Sequence, residues 1–203
     1  MKILNSIKLR AFSMVLASSV FFMACNSGGE SDSAINKDSL AAASTDTLKM
    51  SGDVKHAQAT LSGTYTDTAL SGTAMFDQMK DKVKMVLTIT VPSKANQSVA
   101  VHIHEHGECG DMGKDAHGHW NPSNQKHGKW GSESFHAGDI GNVKLDAEGK
   151  GSIELETNLW SIGGDSTTNI LNRAIIIHGG VDDFVTQPTG NAGGRIGCGV
   201  IKQ

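Results

Sequence analysis

The chain has 203 residues, 24 of them glycine, with 5% aromatic and 19% charged residues and a formal net charge of -3. That length allows one domain of ordinary size plus extra segments. The charge gives no basic footprint for nucleic acid, and the glycine content suits a turn-rich β fold better than a helical bundle.

At the N-terminus, Lys2, Lys8 and Arg10 precede the apolar run "AFSMVLASSVFFMA", residues 11–24. The run is too short to span a bilayer and has the layout of a signal peptide, 1–24. It ends at Cys25 in "FFMAC". That resembles a bacterial lipobox, in which the cysteine is lipidated and becomes the first mature residue; Phe22 stands where leucine is usual. A plain secretory signal cleaved nearby is the alternative. Lipidated Cys25 and the small, polar residues up to 53 read as a flexible tether, which lets a domain float roughly 30 Å from its anchor. Loss of the three basic residues of the signal leaves 15 basic and 21 acidic residues, a net charge of -6. The expected location is outside the cytoplasm, periplasmic or cell-surface, on a lipid anchor in the membrane.

From Val54 onward the pattern is strands and turns. "KHAQATLSGT" alternates, with Ala57, Ala59 and Leu61 on one face. "TAMFDQ" follows a Ser-Gly turn. "VKMVLTITV" places Val83, Met85, Leu87 and Ile89 on one face. "VAVHIH" places Val99, Val101 and Ile103 on a core face and Ala100, His102 and His104 on the opposite one. "GNVKLD" and "GSIELET" flank the turn "AEGKG", and "AIIIH" closes on His178. No segment has the apolar period of an amphipathic helix. Short strands at this spacing indicate an all-β sandwich or barrel of Greek-key type over 54–203.

One segment breaks the rhythm. Residues 105–138 are glycine-rich and do not alternate. A long loop in a compact domain is usually functional, and this one starts where the histidine strand ends. It is placed to cover His102 and His104. Seven of the nine histidines lie between 102 and 136, a density that solvation does not explain and that neutral imidazole as a copper or zinc ligand does. The cysteines are Cys25, Cys109 and Cys198. Lipidation of Cys25 leaves Cys109 and Cys198 as a pair, which an oxidising compartment allows to form a disulfide.

"HIH" at 102–104, "HWNP" at 119–122, "KHG" at 126–128, "HAGDIGN" at 136–142, "IIIHGGVDD" at 175–183 and "GNAGGRIGCGVI" at 190–201 together resemble the copper–zinc superoxide dismutase family. The resemblance covers residues 54–203. It implies one copper and one zinc ion, superoxide as the substrate, and dismutation to oxygen and hydrogen peroxide at a redox-cycling copper. By the same resemblance His102, His104, His119 and His178 are copper ligands, and His119 is also the bridge to zinc. His127, His136 and Asp139 complete the zinc set, a closed tetrahedral group suited to a structural ion. Asp182 is implied to hydrogen-bond one ligand of each metal. Arg195 is implied to attract the anion at the copper mouth, and His119 to deliver a proton. His106 and His117 have no ligand role in the family pattern, and His56 reads as an exposed strand residue.

Two departures stand out. The stretch from Cys109 to His119 is longer than in the common eukaryotic members. The segment from His178 to Arg195 is shorter and has no lysine. The rival reading is a copper/zinc storage lipoprotein without turnover, which needs neither Arg195 nor Asp182. A homodimer is left open.

Overall fold

The computed structural model describes residues 54–203. The signal peptide, Cys25 and the tether lie outside the described residues. Eight strands are present: β1 (Lys55–Gly63), β2 (Ser71–Met79), β3 (Lys82–Thr90), β4 (Ser98–His104), β5 (Gly141–Lys144), β6 (Lys150–Thr157), β7 (Ala174–His178) and β8 (Arg195–Val200). They form one antiparallel sheet in the order β5-β4-β7-β8-β1-β2-β3-β6. The turn between β5 and β6 brings the two ends of the sheet together, with the Asp146 amide donating to the Lys150 carbonyl at 2.8 Å. The result is a nearly closed barrel. β3 to β4 and β6 to β7 cross between strands that are not neighbours, the connection of a Greek key.

The core follows the alternation. Ala57, Ala59, Leu61, Ala74, Phe76, Val83, Met85, Leu87, Val99, Val101, Ile103, Ile175 and Ile177 all point inward and are buried. Full burial of side chains such as Phe76, Met85 and Leu87 contributes roughly 1.5–3 kcal/mol each. The Ser-Gly pair expected as a turn lies instead inside β2, where Ser71 and Gly72 pair with Thr90 and Ile89. Gly72 fits because a side chain there would collide with Ile89 of β3. The chain reverses at Lys80 and Asp81 between β2 and β3, with Lys80 in the left-handed region.

The outer wall of the barrel is treated differently on its two halves. On β1, β2, β3 and β6 it faces solvent. On β4, β7 and β8 it is covered. Register pairs His102 with Ile176 and His104 with Ala174, and Ile176 with Cys198, so these residues share the outer face. Ala174, Ile176 and Cys198 pack there with Ala116 of the long loop. β4 is therefore buried on both sides.

The long loop has short turns of its own. It contains a tight turn at Gly110–Gly113, with Asp111, Met112 and Gly113 in the left-handed region, and a 3-10 turn, Lys114–Ala116. Two backbone hydrogen bonds tie it to the end of β4, Trp120 N–H to Ile103 C=O at 2.9 Å and Ile103 N–H to Gly138 C=O at 2.9 Å, and a third, Gly138 N–H to Trp120 C=O at 3.0 Å, joins two parts of the loop. Trp160 donates its indole N–H to the Ala137 carbonyl at 2.8 Å and packs edge-on against Trp130 and Phe76. Arg173 lies 4.1 Å above the Trp120 ring. The disulfide Cys109–Cys198 is formed and joins the loop to β8 across 89 residues of chain.

Candidate metal centre

β4 supplies His102 and His104 from its outer face, and β7 supplies His178 at its end. A register shift between Ile177 and His178 sets His178 opposite Arg195; such bulges commonly re-aim a side chain near a site. The long loop supplies His119, His127, His136 and Asp139. All of these residues are at most 5% exposed. The ligand atoms of His102, His104, His119 and His178 lie within 4.8 Å of one another, and so do those of His119, His127, His136 and Asp139. His119 belongs to both groups.

The hydrogen bonds fix which nitrogen of each ring is free. His104 Nδ1 is 2.9 Å from the His117 carbonyl, and His178 Nδ1 is 3.2 Å from the Gly193 carbonyl. Both Nδ1 atoms therefore carry protons, and both Nε2 atoms keep lone pairs. Those two Nε2 atoms face each other at 3.4 Å. Neither can donate to the other, so a cation between them is what the donor set calls for. His102 donates from Nε2 to Asp182 Oδ2 at 2.9 Å, which leaves its Nδ1 free.

The second group has the same logic. His127 donates from Nε2 to Asp182 Oδ1 at 2.9 Å, and His136 donates from Nε2 to the Gln125 carbonyl at 3.1 Å. Their Nδ1 atoms lie 3.0 and 3.2 Å from Asp139 oxygens without hydrogen-bond geometry. His119 Nδ1 is 2.8 Å from Asp139 Oδ1. Among the described residues, four buried side-chain nitrogens have no hydrogen-bond partner: His102 Nδ1, His119 Nε2, His127 Nδ1 and His136 Nδ1. Each such orphan costs roughly 1–3 kcal/mol, and all four belong to the two groups. Metal ions fit this arrangement. Neutral imidazoles with one carboxylate suit zinc, and imidazoles alone suit copper.

The protonation states agree. Burial holds His104 well below the ordinary imidazole range, His119 at about 4 and His178 at about 3. They are neutral, as metal ligands must be. Burial also disfavours charge on His127, but the carboxylates of Asp139 and Asp182 on either side outweigh it and raise that ring to about 9. Burial works against ionised Asp139 and Asp182 too; hydrogen bonds from the surrounding imidazoles prevail and hold both well below the usual carboxylate range. Without metal, a proton on His127 answers this negative charge. A divalent cation does the same in its place.

The supports of the site were partly invisible in the sequence. Asn142 clamps Asp182 by its backbone, accepting from the Asp182 N–H and donating to its carbonyl, both at 2.9 Å. Gln187 does the same for His127, again at 2.9 Å twice. Asp183, by contrast, is exposed and caps the turn at Val185 and Thr186. Arg195 sits beside the first group: Nη1 donates to the Gly113 carbonyl and Nη2 to the His117 carbonyl. His56 is exposed on β1, 2.7 Å from Asp77. His106 and His117 lie outside both buried groups and are exposed.

A Greek-key barrel whose outer wall carries two buried donor groups sharing one imidazole defines a two-metal protein. The family described as copper/zinc superoxide dismutase (SODC) matches residues 70–201. A superoxide dismutase [Cu-Zn] of Yarrowia lipolytica is 38% identical over 144 residues, 66% of this chain and 91% of that protein. Superoxide dismutase [Cu-Zn] 1 of Aquifex aeolicus is 39% identical over 111 residues, 53% of this chain and 66% of that one. An extracellular superoxide dismutase [Cu-Zn] of Caenorhabditis elegans is 36% identical over 140 residues, 66% of this chain and 62% of that one. A crystal structure of the clock protein EA4 superposes with a TM-score of 0.63 at 33% identity, covering 72% of this chain and 92% of that one. The chain belongs to the copper/zinc superoxide dismutase family. Membership makes it an enzyme of that type, with one copper, one zinc and superoxide as its substrate.

Proposed function

We propose that this chain is an exported, membrane-tethered superoxide dismutase in which His102, His104, His119 and His178 hold copper and His119, His127, His136 and Asp139 hold zinc. The observation that carries the assignment is His119. It alone among these rings turns one nitrogen to each group and has no carbonyl partner on either.

Copper, when bound, supplies the one-electron chemistry that takes an electron from one superoxide and returns it to a second. The chain does the rest. The carbonyls of His117 and Gly193 and the carboxylate of Asp182 orient the rings. Arg195, fixed beside His104 and His178, offers the incoming anion a positive charge in a chain that is otherwise net negative. His119 Nε2 is the atom that can hold a proton between half-reactions and give it to the reduced oxygen; water supplies the second. His119, His127, His136 and Asp139 would hold zinc and so draw four points of the long loop together.

The tether rests on residues 1–53. No described helix is long and apolar enough to cross a membrane; the proposed anchor is a lipid on Cys25. All seven proposed ligands come from one chain, so a homodimer would add none to either site. The test is elemental analysis of the purified protein with a superoxide turnover assay. One copper and one zinc with turnover is the expected result. Zinc in both sites after copper loading, without turnover, would establish the storage reading instead.

A further inference from the structure

Glu105, His106 and His117 form a third group of donors. Their ligand atoms also lie within 4.8 Å of one another, but all three residues are exposed. The two imidazoles stack face to face, centroids 4.1 Å apart and planes 13° from parallel. Backbone pairing sets them there: the Glu105 N–H donates to Gly118 C=O at 3.0 Å and the His106 N–H to Ala116 C=O at 3.2 Å. The two segments therefore run side by side just beyond the end of β4.

His117 holds a second, independent feature. Its backbone has φ 60° and ψ -142°, a region that essentially only glycine takes without strain. Strain of this kind persists where the surroundings impose it, and it clusters at functional sites. Here it lifts a ring that could have been absent altogether onto the face of His106. Among the described residues, none of the three side chains makes a hydrogen bond or ion pair. The group is not part of the barrel's packing either.

We propose that Glu105, His106 and His117 form a third, solvent-facing site for a divalent first-row transition ion, with Cu(II) held most tightly. Two imidazoles and one carboxylate are donors for such ions, and Cu(II) stands at the top of their affinity order. Exposed side chains can turn about χ1 and χ2 to bring both lone pairs onto one ion. The place is specific: His106 is two residues from His104, His117 is two residues from His119, and the His117 carbonyl accepts from His104 Nδ1. The site is thus the outer wall of the loop whose inner wall carries the buried groups, a landing point for copper from solution. It stands whether or not the chain turns over superoxide.

The experiment uses full-length protein already loaded with one copper and one zinc. Equilibrium dialysis against Cu(II) should show a third equivalent, with an electron paramagnetic resonance signal distinct from that of the buried copper. His106→Ala should weaken that equivalent at least tenfold and leave the first two metals in place. Glu105→Gln removes the carboxylate charge from the third group and should have the same effect. Absence of a third equivalent up to millimolar copper would overturn the proposal, as would one that survives both substitutions.

Discussion

Arg195 and His104 share one acceptor. The carbonyl oxygen of His117 receives both Arg195 Nη2–H and His104 Nδ1–H. The guanidinium is thus tied to a member of the first donor group through a single peptide unit, and its second tie runs to Gly113 in the same loop. Charge that is meant to steer a diatomic anion must be held in place, and these two carbonyls hold it.

Arg195→Ala should slow superoxide turnover by about tenfold at low salt, within the range such steering supplies. Copper content should not change, because Arg195 ligates nothing. Added salt should slow the parent protein more than the variant. Arg195→Lys should recover part of the rate, since it restores the charge without the two-carbonyl fork. Identical salt slopes in parent and Arg195→Ala at full copper occupancy would show that Arg195 guides nothing.

How much of this was legible depends on what a side chain can announce. β1 and β3 declare themselves by apolar alternation, and β7 by the apolar run of "AIIIH", which it matches residue for residue. β8 does not, because its inward positions are Gly197 and Gly199, kept bare by Leu70 and by the Thr60 carbonyl and Leu61. The ligand histidines stand at readable spacings. The acceptors that orient them do not: the carbonyls of His117, Gly193 and Gln125 are main chain, and main chain has no spelling. Asn142 and Gln187 are spelled, but as an ordinary strand residue and an ordinary loop residue. Only their placement against Asp182 and His127 shows what they do.

The metal-free protein should be most stable near about pH 6.5 and lose stability on either side of it. Burial keeps His104, His119 and His178 neutral in the fold, with His119 at about 4 and His178 at about 3, whereas unfolded histidine titrates near about 6.5. Their contribution is present above about 6.5 and is lost as pH falls toward those lower values. Asp139 and Asp182, held low, add to the loss at the acid end. His127 has the opposite sign: raised to about 9, its contribution is complete below about 6.5 and is lost as pH rises from there through the raised value. Near pH 5, unfolding should take up roughly three protons from these histidines. Denaturant titrations of stripped protein across this range check it; stability flat from pH 4 to 7 would refute the burial argument.

Breaking the Cys109–Cys198 bond should cost up to about 4–5 kcal/mol by chain entropy, since the bond closes 89 residues of chain. It should also cost turnover. Cys198 is three residues from Arg195, and Cys109 opens the segment whose Gly113 and His117 carbonyls hold that guanidinium. Cys109→Ser with Cys198→Ser should lower the denaturation midpoint and turnover while metal content stays at two. An unchanged rate at full metal loading would mean that the bond serves stability alone.

Gly190 supplies the sharpest test of the link between the two donor groups. It sits in the left-handed region at φ 67°, held by its N–H to the Thr186 carbonyl at 2.7 Å and by its own carbonyl to the Asp183 N–H at 2.9 Å. A Cβ there would overlap Asp182 Oδ1 and stand 2.6 Å from His127 Nε2. Those are the two atoms of the Asp182–His127 hydrogen bond. Gly190→Ala must push them apart, on top of roughly 1–2 kcal/mol of left-handed strain. The Asp182 Oδ2 bond to His102 lies on the other side of the carboxylate. Gly190→Ala should therefore weaken zinc about ten- to a hundredfold, the usual scale for losing a partner of a ligand, and copper much less. Asp182→Ala removes both bonds and should weaken both metals. Competition against a chelator, run for each metal on folded protein, separates the two patterns. Unchanged zinc affinity in Gly190→Ala would mean that His127 does not depend on Asp182, and equal losses of copper and zinc would mean that the carboxylate moves as one unit.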